Sequence, residues 1–349
     1  MKDMKLFKTL FLTGMIAMAA TSCENQDIEF PDYEGGVTVY FAHQYPVRTL
    51  VMGEDRNYDT SLDNAHKCKI IATMGGAYQG KNIKVEVAVD NTLIDKLYFE
   101  NGSPVKPMPT EYYSLASNTL NYGGTYQGGV EVQFTDAFFA DPAALKNTYV
   151  IPVVMKSQTG ADHIFTGKPL IEGETPARCN AAAWNVKPMD YVLYCVKFIN
   201  TWHASYLRRG VDQITENGTT TTNVRHAQYV EKDEVCSLTT ATLNTAIFPV
   251  STTVDEGGSV KTLTCNMKLT FSDNGECTIT SDTSGYTANG SGKFVKRGDK
   301  NSWGNEDRDV LYLDYNVDFN GKKYATKDTL VVRDRGVVFE EFSPVYQAN

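Results

Sequence analysis

The stretch Cys265 to Ile279 reads CNMKLTFSDNGECTI, and its pattern decides the fold. Cys265, Met267, Leu269 and Phe271 alternate with polar residues, Asn274-Gly275 supplies a turn, and Cys277 and Ile279 return with the same period. Successive side chains of a strand point to opposite faces, so an apolar phase of period two marks a half-buried strand. Asn-Gly between two such runs marks a hairpin. A second hairpin follows, in which Leu311, Leu313, Tyr315, Val317 and Phe319 alternate with polar residues up to Asn320-Gly321, and Tyr324 to Val332 come back. Consecutive hairpins without crossover helices form a meander, and a meander with one apolar face removes its edges by curling. The expectation for residues 178–349 is a lipocalin-like β-barrel or meander.

The same period runs through the first half of the chain. Ile83, Val85, Val87 and Val89 alternate with Lys84, Glu86 and Ala88, and Val130, Val132 and Phe134 with Glu131 and Gln133. Val37 to Phe41, Cys68 to Thr73 and Tyr149 to Met155 are further candidate strands, with Gly75-Gly76, Asn101-Gly102 and Gly123-Gly124 as turns between strands. This spacing fits an Ig-like β-sandwich over residues 36–177. Asn91 to Phe99 reads as a short helix capped by Asn91, packing Leu93, Ile94 and Leu97 on a sheet. Between the halves, Ser157 to Pro188 carries Gly160, Gly167, Pro169, Gly173, Pro176 and Pro188 with little periodicity, which places the domain junction near Arg178. The fold class expected is all-β.

At the N-terminus, Lys2, Lys5 and Lys8 precede a short apolar run from Leu10 to Ala20, and Ala20, Thr21 and Ser22 lead to Cys23. The run is well short of the ~20 apolar residues that a spanning helix needs, so residues 1–22 read as a signal peptide. The small residues ending in a thiol read as a lipobox. Cys23 is then the lipid-attachment residue and first residue of the mature chain, 23–35 a tether, and the lipid the only membrane contact. The formal net charge of −9 becomes more negative when the signal leaves, which argues against nucleic acid and against a polybasic membrane patch.

The other six cysteines, Cys68, Cys179, Cys195, Cys236, Cys265 and Cys277, permit disulfides in an oxidising compartment but do not require them. No Cys-x-x-Cys occurs and no histidine lies near them at zinc-finger spacing, so neither a metal site nor a cofactor is expected. Gly75, Gly80 and Lys81 mimic a phosphate loop, but Asn82 stands where a hydroxyl belongs and the segment joins two strands. Asp314, Asn316 and Asp318 mimic a calcium loop, but Phe319 holds the place of the turning glycine, and a strand's wet face explains the three. Catalytic signatures such as Gly-x-Ser-x-Gly and His-Glu-x-x-His are missing, so no enzyme is expected.

Trp184 to Asp212, WNVKPMDYVLYCVKFINTWHASYLRRGVD, is the most distinctive segment. Through Asp190, Tyr191, Leu193, Val196, Lys197, Asn200, His203, Tyr206, Leu207, Arg208, Arg209 and Gly210 it resembles a domain of unknown function (DUF5627-like). That domain follows an Ig-like one (DUF1735-like) in Bacteroidetes surface lipoproteins encoded beside Sus-type glycan importers. Cys23-Glu24-Asn25, Phe30-Pro31-Asp32-Tyr33 and Val39-Tyr40-Phe41 resemble the N-terminal domain of that family, and Arg333-Asp334-Arg335-Gly336 matches near the end. The acids Glu24, Asp27, Glu29 and Asp32 resemble the stretch that sends such lipoproteins to the cell surface. The resemblance implies a SusE-position protein on the outer membrane, capturing polysaccharide or oligosaccharide for a SusC/SusD-like importer complex. A surface glycoside hydrolase and a structural adhesin or fimbrial protein are the alternatives.

The family's motifs mark its fold, so candidate ligand-binding residues come from the side chains themselves. Sugar sites commonly set an aromatic face against the apolar face of a pyranose, with polar groups around it. Trp303, in the polar loop Asp299 to Asp309, is the leading candidate. Trp202, beside His203 and Tyr206, either lines a barrel mouth or plugs it. Trp184 reads as domain packing. Arg208 and Arg209 offer guanidinium forks to sugar hydroxyls or a carboxylate, although a structural ion-pair cluster with Asp212 or with the acids near Arg333 and Arg335 is the favoured reading. Tyr78, Tyr122 and Tyr126 lie beside glycines in turns and are further candidates.

Overall fold

The computed structural model describes residues 31–347, so the signal segment and Cys23 lie outside the described residues. The protein is all-β in two units. The first is built from β1 (Thr38–Tyr40), β2 (Pro46–Val51), β3 (Lys67–Gly75), β4 (Lys84–Val89), β5 (Thr119–Asn121), β6 (Gln127–Phe134), β7 (Tyr149–Thr159) and β8 (Tyr191–Ile199). These join with short edge segments into one sheet in the order β1-β3-β6-β5-β4-β7-β8-β2.

An Ig-like sandwich needs two antiparallel sheets. Here the strands form a single curled mixed sheet, with β8 and β2 parallel from Cys195 opposite Val47 to Ile199 opposite Val51. Alternation cannot separate the two arrangements, because a sheet that curls over its own apolar face buries the same phase as one that faces a second sheet. Val39, Ile70, Val85, Val132 and Phe198 meet inside the curl. β7 lies in the middle of the sheet and is buried on both faces. Ile151, Val153 and Met155 join the inner core, while Val150 and Val154 join a second core with Leu93, Ile94, Leu97 and Phe99. The short helix that supplies Leu93 and Ile94 is a 3-10 turn over Asn91–Ile94, capped by Asp90, whose carboxylate accepts from the Thr92 amide.

The junction expected near Arg178 precedes one more strand of the first unit, since β8 pairs with β7 and β2. The second unit comprises β9 (Ala204–Glu216), β10 (Thr219–Arg225), β11 (Glu234–Thr242), β12 (Thr245–Glu256), β13 (Ser259–Phe271), β14 (Glu276–Ser281), β15 (Thr287–Asp299), β16 (Arg308–Phe319) and β17 (Lys322–Asp334). Each strand pairs antiparallel with its successor from β11 onward, β9 pairs with β11, and β9 meets β17 from Ser205 to Thr215. The result is a closed eight-stranded antiparallel barrel, with β10 as an extra strand beside the later half of β9. The residues read from the two hairpins face inward: Cys265, Met267, Leu269, Phe271, Cys277, Ile279, Leu311, Leu313, Tyr315, Val317 and Phe319 are all in the barrel core. Asn320 and Gly321 both have positive φ, 57° and 109°, as a two-residue primed turn requires.

The barrel and the curled sheet are tied at one end. The buried Asn200 donates to the Thr242 and Thr245 carbonyls, and Arg335 donates to the carbonyls of Asn200, His203 and Glu54. β18 (Glu340–Glu341) then returns to pair with β2, and Phe342 packs edge-on against Tyr45. All six described cysteines are free thiols. No helix among the described residues is long and apolar enough to cross a membrane.

Candidate functional site

β9 carries most of the residues singled out in the sequence, and its alternation decides where they go. Tyr206, Arg208 and Asp212 share the inward phase with Gly210, while Leu207 and Arg209 face the other way. Tyr206 is fully buried, and its hydroxyl donates to the Trp202 carbonyl at 2.7 Å. Trp202 plugs the barrel at the end nearest the first unit: its indole stacks on Phe271 with centroids 3.9 Å apart and planes 8° apart, and Nε1 is buried without a partner. His203 Nδ1 accepts from the Thr240 amide at 3.1 Å. Burial, assisted by the charges of Arg335 and Lys197, pushes its imidazole down to about 4.

Arg208 belongs to an ion-pair belt across the barrel interior. Its Nε donates to Asp328 at 2.9 Å, one Nη to the Tyr315 hydroxyl at 3.0 Å, and the other to Glu234 at 3.4 Å. Arg225, on β10, donates to both Asp212 oxygens at 2.8 and 2.9 Å and to Asp328 at 2.6 Å. Burial alone would raise the Asp212 carboxyl, but hydrogen bonds from Arg225, Thr326 and Asn223 outweigh it and hold the group below the usual carboxylate range. Gly210 makes the belt possible, since a Cβ there would lie 2.3 Å from an Asp328 oxygen. Arg209 pairs instead with the buried Asp233 at 2.5 Å. Both arginines are held in ion pairs, but neither with Asp212, which Arg225 takes instead.

Trp303 is half-buried on the outside of the barrel against Leu207, Val310 and Val331. Its Nε1 donates to the Val332 carbonyl at 3.3 Å, and the Arg308 guanidinium lies 3.5 Å from the ring centroid. Packing and a cation thus occupy the ring expected as a sugar platform. Of the turn tyrosines, Tyr122 is a core residue whose hydroxyl donates to the Thr73 carbonyl, while Tyr78 and Tyr126 are exposed and adjacent, the Tyr126 hydroxyl donating to the Tyr78 carbonyl.

A different tyrosine faces solvent in a concavity. On β16 the inward phase runs through Leu311, Leu313 and Tyr315, so Tyr312 points outward, and its residue is 41% exposed. It stands opposite Lys293 of β15 and Thr329 of β17, with Ser291 and Thr278 beyond, in a shallow groove of about 1040 Å³ on the barrel wall. Exposed ion pairs flank it: Lys293 with Glu276 at 3.6 Å and Lys327 with Asp314 at 3.3 Å. Such pairs contribute little to stability, so their charged ends are free to turn to a ligand's hydroxyls at small cost. The groove therefore offers one aromatic face ringed by hydroxyl, ammonium and carboxylate groups. The sequence held the signal for Tyr312, an aromatic ring on the polar phase of a strong alternation. Among the described residues no three His, Cys, Asp or Glu side chains gather as a metal site would require.

Two family models match the chain. The domain of unknown function DUF5627 covers residues 201–336, the barrel, and a model for an N-terminal domain covers residues 32–162. Among solved structures, a Bacteroides ovatus protein of unknown function is 43% identical with a TM-score of 0.84, covering 91% of this chain and 100% of its own. An auxiliary nutrient binding protein from Bacteroides thetaiotaomicron is 12% identical with a TM-score of 0.35, covering 82% of this chain and 90% of its own. No curated protein matches the chain.

Proposed function

The chain belongs to the family of the Bacteroides ovatus protein that it matches over that protein's whole length, and we propose that it is a cell-surface glycan-binding lipoprotein. The observation that carries the reading is the groove around Tyr312. A solvent-facing ring offers a face to the C–H surface of a pyranose, and Lys293, Glu276, Asp314, Lys327, Ser291 and Thr329 surround it with donors and acceptors for hydroxyls. The groove is open along the wall, which suits an internal stretch of polysaccharide.

The signal peptide and lipobox support attachment through Cys23 to the outer membrane, with both β units in water. Capture at the surface serves an importer of the SusC/SusD kind, and the reading includes no catalytic role.

The test is affinity electrophoresis of residues 24–349 in gels containing plant, fungal and host polysaccharides, followed by chromatography of the incubated sugars. One glycan is expected to retard the protein without new products. Tyr312→Ala is expected to weaken that retardation about tenfold, a loss of ~1.4 kcal/mol, with an unchanged melting temperature. Release of shorter sugars would replace capture with hydrolysis, and the absence of retardation by every glycan would remove the reading.

A further inference from the structure

A second cavity opens in the barrel wall. Hydrogen bonding between β11 and β12 runs only from Thr239 to Thr242 opposite Thr245 to Ile247. Beyond that the β12 ladder continues on its β13 side alone, while β10 covers the far half of β9. The wall between β10 and β12 is therefore unzipped among the described residues. A cavity of about 210 Å³ lies there, bordered by Asn223, Arg225 and Glu234 on one side and by Val250 on the other.

The cavity has two chemically different walls. Val250, Val317 and Phe319 form an apolar one, and the ion-pair belt forms the other. Within the belt nearly every donor is engaged, with one exception that borders the cavity. Arg225 Nη1 is buried and makes no hydrogen bond, and its nearest ion-pair partner, Glu234 Oε2, is 3.7 Å away, too far for a direct one. A single hydroxyl placed at hydrogen-bond distance from both atoms would accept from Nη1 and donate to the carboxylate.

From this we propose that the cavity binds one small neutral polyol, the size of a single sugar ring. Its volume equals the share of roughly seven waters at ~30 Å³ each, and a pyranose has the one apolar face and several hydroxyls that the two walls call for. The charges around the cavity select against ions. Arg208 and Arg225 face Asp212, Asp328 and Glu234, so an anion meets a net negative surround and a cation meets carboxylates already held by guanidinium groups. The site is separate from the Tyr312 groove and does not rest on it.

The experiment is calorimetry and saturation-transfer NMR of residues 24–349 with D-glucose, D-galactose, D-mannose and, as the anionic control, D-glucuronate. At least one neutral sugar is expected to saturate the protein, with glucuronate bound at least about tenfold more weakly. Glu234→Gln removes the charged acceptor at the half-exposed rim and is expected to lower the affinity about tenfold. Ile214→Trp fills the cavity from its wall without removing any residue of the ion pairs and is expected to abolish binding, circular dichroism confirming the fold. Failure of all three neutral sugars to bind, or equal binding of glucuronate, overturns the inference. Monosaccharide binding that survives both variants but is lost in Tyr312→Ala moves the sugar to the outer groove, overturning this site and leaving the proposed function standing. Monosaccharide binding lost in Glu234→Gln, with no polysaccharide retarded, does the reverse.

Discussion

Asp328 accepts from Arg208, Arg225 and the Tyr315 hydroxyl with a side chain that water does not reach. Taking its charge away while keeping its shape leaves two buried guanidinium groups with one partner fewer, so Asp328→Asn is expected to destabilise the chain by about 3 kcal/mol in urea unfolding. His203 works in the opposite sense, because its fold requires it neutral. The unfolded imidazole takes up a proton near pH 6.5, whereas the folded one does so only at about 4. Its contribution is complete above about pH 6.5 and is lost as the pH falls toward 4, at no more than about 1.4 kcal/mol per pH unit. His203→Asn keeps an acceptor for the Thr240 amide and has no such titration. Its unfolding free energy is expected to fall less steeply than the wild type's between pH 6.5 and 4.5, measured by urea titrations at each pH.

The strand is the scale at which the sequence was most legible. The alternations at 265–279 and 311–319 located both hairpins and their buried phase residue by residue, because a strand with one face in water has no other way to satisfy its apolar side chains. What alternation leaves open is what covers the buried face. β7 reads as a run of apolar residues, and only the sheet order reveals that it is covered on both sides. The candidate site was legible in the same uneven way. For Arg208 and Arg209 the sequence offered ion pairs as a reading but not the partners: Asp328, Glu234 and Asp233 lie on other strands or loops, and Asp212 pairs with Arg225 instead. Trp303 read as exposed because its loop is polar, but the apolar patch of Leu207, Val310 and Val331 that receives it is assembled from three different strands. Tyr312 lies on the polar phase of the decisive alternation, where the sequence alone does not separate a ring in a groove from any other exposed residue. Trp303→Ala distinguishes the two rings: it is expected to cost about 2 kcal/mol of stability through lost packing and the lost Arg308 contact, and to leave glycan retardation unchanged.

At the scale of the molecule, the chain crosses between its two units twice. β8 leaves the curled sheet at Ile199 and β9 enters the barrel at Ala204, and after β17 the tail returns through Arg335 to β18. The last residues then complete the first unit: Phe342 fills the second core beside Phe99 and Tyr45, and Val345–Tyr346 pairs with Leu97–Tyr98. The barrel is thus inserted between the last long strand of the curled sheet and the edge that closes it. A core built from both ends of the sequence makes the tail part of the first unit's stability, so Phe342→Ala is expected to cost about 3 kcal/mol although it lies beyond the barrel. Hydrogen exchange tells where that cost falls. With the tail docked weakly, the amides of β2 and of Leu97 to Val105 should lose protection, while those of β13 to β17 keep theirs, because the barrel closes through β9 and β17 without using the tail.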